Sequence, residues 1–224
     1  MQEYVKEYQK KPIKNRCNRT QTTLILRQPL HQQCFFDKLI AFIITFVYNI
    51  CEVINTQFVP FIYSENGNKV SVNIIPMTEK DALSTIKEPI WQTSWLSDFI
   101  TDNSDLKFAV KNADELIALV VYEVLESILA VRIVYMEAQP QSNPVLCNDK
   151  KYNGIGKLLI AFGIKLSIDN GFNGDVLLEA KTTELAEHYK RDFHAVQLPV
   201  FDLSAPRFLI SDETAEKIFF DYLE

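Results

Sequence analysis

The stretch Lys151-Tyr152-Asn153-Gly154-Ile155-Gly156-Lys157 decides how the rest of the chain is read. Two glycines one residue apart stand directly before a run, 156–170, in which Leu158, Leu159, Phe162 and Leu166 fall at helical spacing. A glycine loop at a helix start leaves backbone N–H groups unobstructed, and those groups with the helix dipole favour anionic oxygen. Lys150, Lys151 and Lys157 add local positive charge. A phosphate-bearing ligand is the natural occupant, and a tight turn with solvated lysines is the alternative. A P-loop is excluded, because position 151 is Lys rather than Gly and Leu158 follows Lys157. A dinucleotide fingerprint also fails, since it needs a third glycine where Leu159 stands.

Working outward, Asn170-Gly171 is expected to stop the helix, with Gly171 in the left-handed cap. Beyond it the spacing predicts a strand over 175–180, a helix over 183–192, strands over 196–202 and 207–210, and a helix over 212–222 capped by Asp212. Upstream, 106–110, 115–124 and 128–137 are rich in Val, Ile and Tyr and read as strands. The polar run 138–149 carries two prolines and reads as loop. Strands over 58–63 and 69–75 flank Asn66-Gly67, a hairpin signal, with Pro60 suiting an edge. Thr78 with acids after it reads as a helix cap, and a short helix fits 94–100. Trp91 and Trp95 read as core or lid packing. The order of elements is mixed α/β with a largely antiparallel first half.

The loop and its helix resemble the cofactor motif of the GNAT acetyltransferases, Gln/Arg-x-x-Gly-x-Gly/Ala after a fourth strand. Residues 176–193 (VLLEAKTTELAEHYKRDF) resemble that family's fifth strand and following helix, and 72–82 (VNIIPMTEKDA) its opening strand and helix. The likeness covers 57–224 and is nearest to a bacterial group of small GNAT-like proteins. It implies a GNAT fold: a mixed, mostly antiparallel sheet of about seven strands flanked by helices, here with an N-terminal helical extension over residues 1–56. It implies acetyl-CoA as co-substrate and transfer of its acetyl group to a primary amine by direct attack. Its diphosphate would meet the backbone of Lys151, Tyr152, Asn153, Gly154, Ile155 and Gly156, with Lys157 beside them. Its acetyl carbonyl would meet a main-chain N–H near Met136 or Ala138. Tyr189 aligns with the thiolate acid of many relatives, packing on the sheet being the alternative. Glu137 is the candidate base, a solvated strand end being the alternative, and Glu179 and Glu123 are outside candidates. Lys151 stands where the family has Gln or Arg, and Lys181-Thr182 where many relatives place an Asn. A GNAT-fold module that binds acyl-CoA or a partner without turnover, with residues 35–54 as a route to membrane association, is the second reading.

Net charge is −6 over 224 residues, which disfavours wholesale nucleic-acid binding. Residues 1–38 carry +5, so the remainder carries −11. A basic arm therefore joins an acidic body, which suits a cationic amine, from a small molecule or a protein. His188 and His194 have no partners at ligand spacing, so no metal site is expected. Cys17, Cys34, Cys51 and Cys147 form no CxxC pair and read as reduced thiols in a cytoplasm. The apolar run Leu39–Ile54 is sixteen residues long, short of the roughly 20 needed to cross a bilayer. It reads as a packed or interfacial helix rather than an anchor, and the aromatic-rich extension offers a surface for a homodimer.

Overall fold

The computed structural model describes residues 57–103, 106–199 and 205–224. The basic arm, the helix expected over 35–54, Cys17, Cys34, Cys51 and positions 200–202 of an expected strand lie outside the described residues. Ten strands and five α-helices follow in order. They are β1 Phe61–Ser64, β2 Lys69–Ser71, β3 Asn73–Pro76, α1 Glu79–Ser84, α2 Asp98–Thr101, β4 Leu106–Asn112, β5 Glu115–Leu125 and β6 Ala130–Ala138. Then come β7 Tyr152–Asn153, α3 Ile155–Asp169, β8 Val176–Glu179, α4 Thr183–Phe193, β9 Val196–Gln197, β10 Arg207–Ile210 and α5 Asp212–Phe220.

The main sheet has seven strands in the order β3-β4-β5-β6-β8-β10-β9, antiparallel throughout except for the β6–β8 pair. A mixed α/β chain with about seven mostly antiparallel strands is what the sequence led us to expect. Central β5 explains the core. Ile117 to Tyr122 are fully buried because alternate side chains serve two layers. Ala118, Val120 and Tyr122 join the core that contains α3, while Leu119 and Val121 join a smaller one with Trp91, Trp95 and Ile100. The Tyr122 hydroxyl donates to the Leu159 carbonyl at 2.6 Å and pins α3 to the sheet.

The run 69–75 is two strands, not one. β2 pairs with β1, and β1 with β7, in a separate small sheet, whereas β3 enters the main sheet beside β4. Val72 between them is buried and its N–H is held by the Pro60 carbonyl. Thr78 caps α1 in a reciprocal box with Asp81. Gly171 takes φ +79°, and its N–H and that of Phe172 bond the Ile168 and Ser167 carbonyls, closing α3 as a Schellman motif. The expected cap of the last helix is corrected: Ser211 holds the N-cap position, and Asp212 begins the helix at φ +50°. The third strand expected from 128 starts at Ala130, because a 3₁₀ turn over Glu126–Ile128 and left-handed Leu129 occupy its first positions.

Candidate active site

Strand β6 bears a bulge that opens the sheet. Tyr122 of β5 faces Ile133, but its neighbour Val121 faces Tyr135, so Val134 is an extra residue. Val134 and Tyr135 both pack on the Trp95 side, while Ile133 and Met136 belong to the opposite core. The parallel ladder with β8 holds only Val131↔Val176 and Arg132↔Leu177 and ends where the bulge begins. From Ile133 to Ala138, β6 has no partner on its β8 side among the described residues, although β8 stays paired with β10 to Glu179. The two strands therefore part into a split.

The bulge also swaps which backbone groups face that split. Before it, the Val131 N–H bonds the Asp175 carbonyl on the β8 side. After it, the Gln139 N–H bonds the Ile117 carbonyl of β5. Antiparallel pairing alternates along a strand. The N–H groups of Met136 and Ala138 consequently turn away from β5, toward the split.

The glycine loop follows. Its two glycines differ in why they are there. Gly154, the N-cap of α3, has φ +80°, a conformation that other residues adopt only with strain. Gly156 has no positive φ, and a Cβ built on it would meet nothing within 4 Å. The chain's own packing does not require glycine there, and glycine in a helix costs about 1 kcal/mol relative to Ala. The first described helical bond to Gly154 comes from Leu158, so the N–H groups of Ile155, Gly156 and Lys157 start the helix without helical acceptors.

Three expected contacts are changed by the structure. The N–H groups of Lys151 and Tyr152 are already used, by the Gln141 carbonyl and the Ser142 hydroxyl. The Lys151 ammonium reaches Glu115 at 2.7 Å rather than the loop mouth. Glu115 also accepts from Gln139 and the Tyr152 hydroxyl. Burial pushes its carboxyl up, but these donors hold it below the ordinary carboxylate range. This hub fixes the loop to the start of β5, and nothing in the local sequence announced it. Asn153 pairs with Tyr63 across the small sheet. Lys157 is ion-paired with Asp221 at 2.5 Å. A groove of about 340 Å³ beside it is lined by Phe193, His194, Lys217, Ile218 and Asp221.

Glu137, the expected base, is only 4% exposed and has both oxygens engaged. Its Oε1 accepts the Gln92 N–H at 2.6 Å, and its Oε2 accepts from Trp95 Nε1 at 3.1 Å and from the Tyr135 hydroxyl at 3.4 Å. Burial pushes its carboxyl above the usual value despite those donors. It staples the segment around Trp95 to β6 rather than standing at a solvated strand end. Tyr189, 3% exposed, packs edge-on against Phe208 in the same core that Met136 and Ala138 border. Burial raises its phenol to about 12. Glu179 lies near Arg132 and Arg207, and Glu123 pairs with Arg132, so both outside candidates are ion-paired. His188 pairs with Asp192, and His194 is the left-handed C-cap of α4. Cys147 is a free thiol donating to the Asn143 carbonyl. Among the described residues no cluster of three His, Cys, Asp or Glu could hold a metal, and no helix is long and apolar enough to cross a membrane.

No protein-family model and no curated protein matches the chain. Solved structures do. The chain is similar to the GNAT domain of S. lividans PAT, at 11% identity over 69% of this chain and 97% of that one, TM-score 0.48. It is similar to the ribosomal-protein-S18-alanine N-acetyltransferase from Escherichia coli, at 14% identity over 63% and 95%, TM-score 0.42. A third is the PaiA N-acetyltransferase from Thermoplasma acidophilum in complex with coenzyme A, at 12% over 64% and 100%, TM-score 0.42. All three are acetyltransferases or the GNAT domain of one.

Proposed function

We propose that residues 57–224 form a GNAT-type N-acetyltransferase domain that moves the acetyl group of acetyl-CoA to a primary amine, with 1–56 an extension to it. The observation that carries this reading is the bulge-driven split between β6 and β8, which opens beside a loop whose Gly156 is bare for no internal reason. A phosphorylated carrier with a long thin arm fits that pair of features. The diphosphate is held by the first-turn N–H groups of Ile155, Gly156 and Lys157. The arm lies in the split, and the acetyl oxygen accepts from the N–H of Met136 or Ala138. Those donors stabilise the negative charge that develops on this oxygen when the amine attacks.

In the reaction a C–N bond forms, the C–S bond breaks, and the sulfur leaves as thiolate to become the thiol. Tyr189 supplies a hydrogen bond to that sulfur. With its phenol at about 12 it stays protonated at neutral pH. It is too weak an acid to yield its proton outright to a thiolate near 8.5. The proton that turns the thiolate into the thiol is the one the amine loses, carried through water, so Tyr189 keeps its own. Glu137 serves as a positioning residue, because its lone pairs are committed to Gln92, Trp95 and Tyr135. The amine proton leaves by water.

The test is titration calorimetry with CoA followed by product analysis across an amine panel. Micromolar CoA binding that collapses in Gly156→Glu, with an acetylated amine in the panel, is the expected result. Unchanged CoA affinity in Gly156→Glu would sink the reading. CoA binding with no acetylated product would favour a non-catalytic acyl-CoA module, a reading that the full engagement of Glu137 keeps in play.

A further inference from the structure

Lys181 follows the end of β8 and reaches across the split. Its Nζ lies 4.5 Å from the ring centroid of Tyr135 on β6 and 5.0 Å from that of Phe99 on α2. The two rings meet edge to face at 5.8 Å. Among the described residues Lys181 has no carboxylate at ion-pair distance, so two aromatic surfaces are what holds this ammonium. The rings are differently placed for that work. Tyr135 is locked: its hydroxyl shares a 2.7 Å hydrogen bond with Thr93, and its ring packs on Trp95 at 5.6 Å. Phe99 is 47% exposed, so a solute can reach the pair from water. Lys181 itself is exposed, on a flexible four-carbon stem. The rigid part is the aromatic surface, and the replaceable part is the ammonium.

We propose that Phe99 and Tyr135 form a cation shelf that receives an alkylammonium group of the acceptor, and that Lys181 fills this shelf until the acceptor displaces it. The word acceptor rests on the transferase reading, but the shelf does not. The shelf lies on the Trp95 side of the split, where Val134 and Tyr135 were turned by the bulge. A ligand the size of a lysine side chain fits, since one is already there. An aliphatic diamine meets both needs: one end rests on the shelf as ammonium while the other, neutral, enters the split. The net charge of −11 outside the basic arm favours the approach of such a cation.

The test titrates the full chain with n-butylammonium chloride and, separately, with the neutral n-pentanol, at about 0.15 M salt to screen long-range attraction. The reporter is the Trp95 indole N–H signal by NMR, one of two in the chain and assigned with Trp91→Phe. The ammonium is expected to shift that signal saturably and the alcohol is not. Phe99→Leu is expected to weaken binding about 3- to 30-fold, the range of a lost cation–π contact. Lys181→Met removes the internal competitor and is expected to tighten binding several-fold, roughly the inverse of the fraction of time that Lys181 leaves the shelf empty. Equal binding of both probes, no loss in Phe99→Leu, or weaker binding in Lys181→Met would each overturn the shelf. CoA is titrated in parallel. Loss of CoA binding with the ammonium response intact overturns the transferase reading alone, and the converse overturns the shelf alone.

Discussion

Gly156 and Gly154 sit two residues apart and are expected to respond oppositely to the same change. At Gly156 an added methyl meets nothing and the backbone is unstrained, so Gly156→Ala should raise stability by up to about 1 kcal/mol. CoA affinity should be little changed in the same variant, by calorimetry, because the motif that the loop resembles takes Gly or Ala at this position, whereas the bulky anionic side chain of Gly156→Glu should abolish it. At Gly154 the φ of +80° makes Ala costly by about 1 kcal/mol, read as a lower melting temperature. Tyr189→Phe keeps the buried ring and removes only the hydroxyl. Its melting temperature should hardly move, while kcat falls about 100-fold with KM unchanged. Glu137 carries a pH signature. Its carboxyl is raised above the ordinary 4.5, chiefly by burial. A group raised on folding adds stability below its unfolded value and loses it as pH rises through the folded one. The wild-type chain should therefore lose a component of stability from about pH 4.5 upward, and Glu137→Gln should lack that component in denaturant melts across pH. The Gln variant should also be less stable overall by about 1–3 kcal/mol, since its amide sets a donor against Trp95 or Gln92.

Elements matter here through their ends and their irregularities. Helix α1 is only six residues long, so its cap is a large share of what forms it. Thr78 and Asp81 satisfy one another's first-turn donors, and Asp81 also pairs with Lys111 of β4 at 2.6 Å. Thr78→Ala should cost about 1 kcal/mol, a fall of a few degrees in melting temperature by calorimetry. Because α1 leads into the segment that Glu137 staples, the change should also loosen that side of the split. Strand β6 owes its parting from β8 to one extra residue. Val134 ends the parallel ladder and turns the Met136 and Ala138 amides outward from β5. A bulge of this kind leaves no mark in hydropathy, since ILAVRIVYME reads as one uninterrupted strand.

At the scale of the molecule, the described residues build a seven-stranded sheet with a core on each face. A 57–224 chain is therefore expected to melt cooperatively and to bind CoA within a factor of about three of the full chain. Failure to fold, measured by circular dichroism, would assign residues 1–56 a structural role. The sequence by itself determined the local features. These are the glycine loop before an amphipathic helix, the cap at Thr78, the Gly171 stop and the run of Val- and Ile-rich strands. Each of them depends on dihedral preference or periodicity among near neighbours. Only the tertiary structure decided where distant groups met. It tied Lys151 to Glu115, engaged both oxygens of Glu137, split 69–75 between two sheets and laid Lys181 over Tyr135 and Phe99. Those pairings join residues tens of positions apart, and strand register and packing, not local preference, select them.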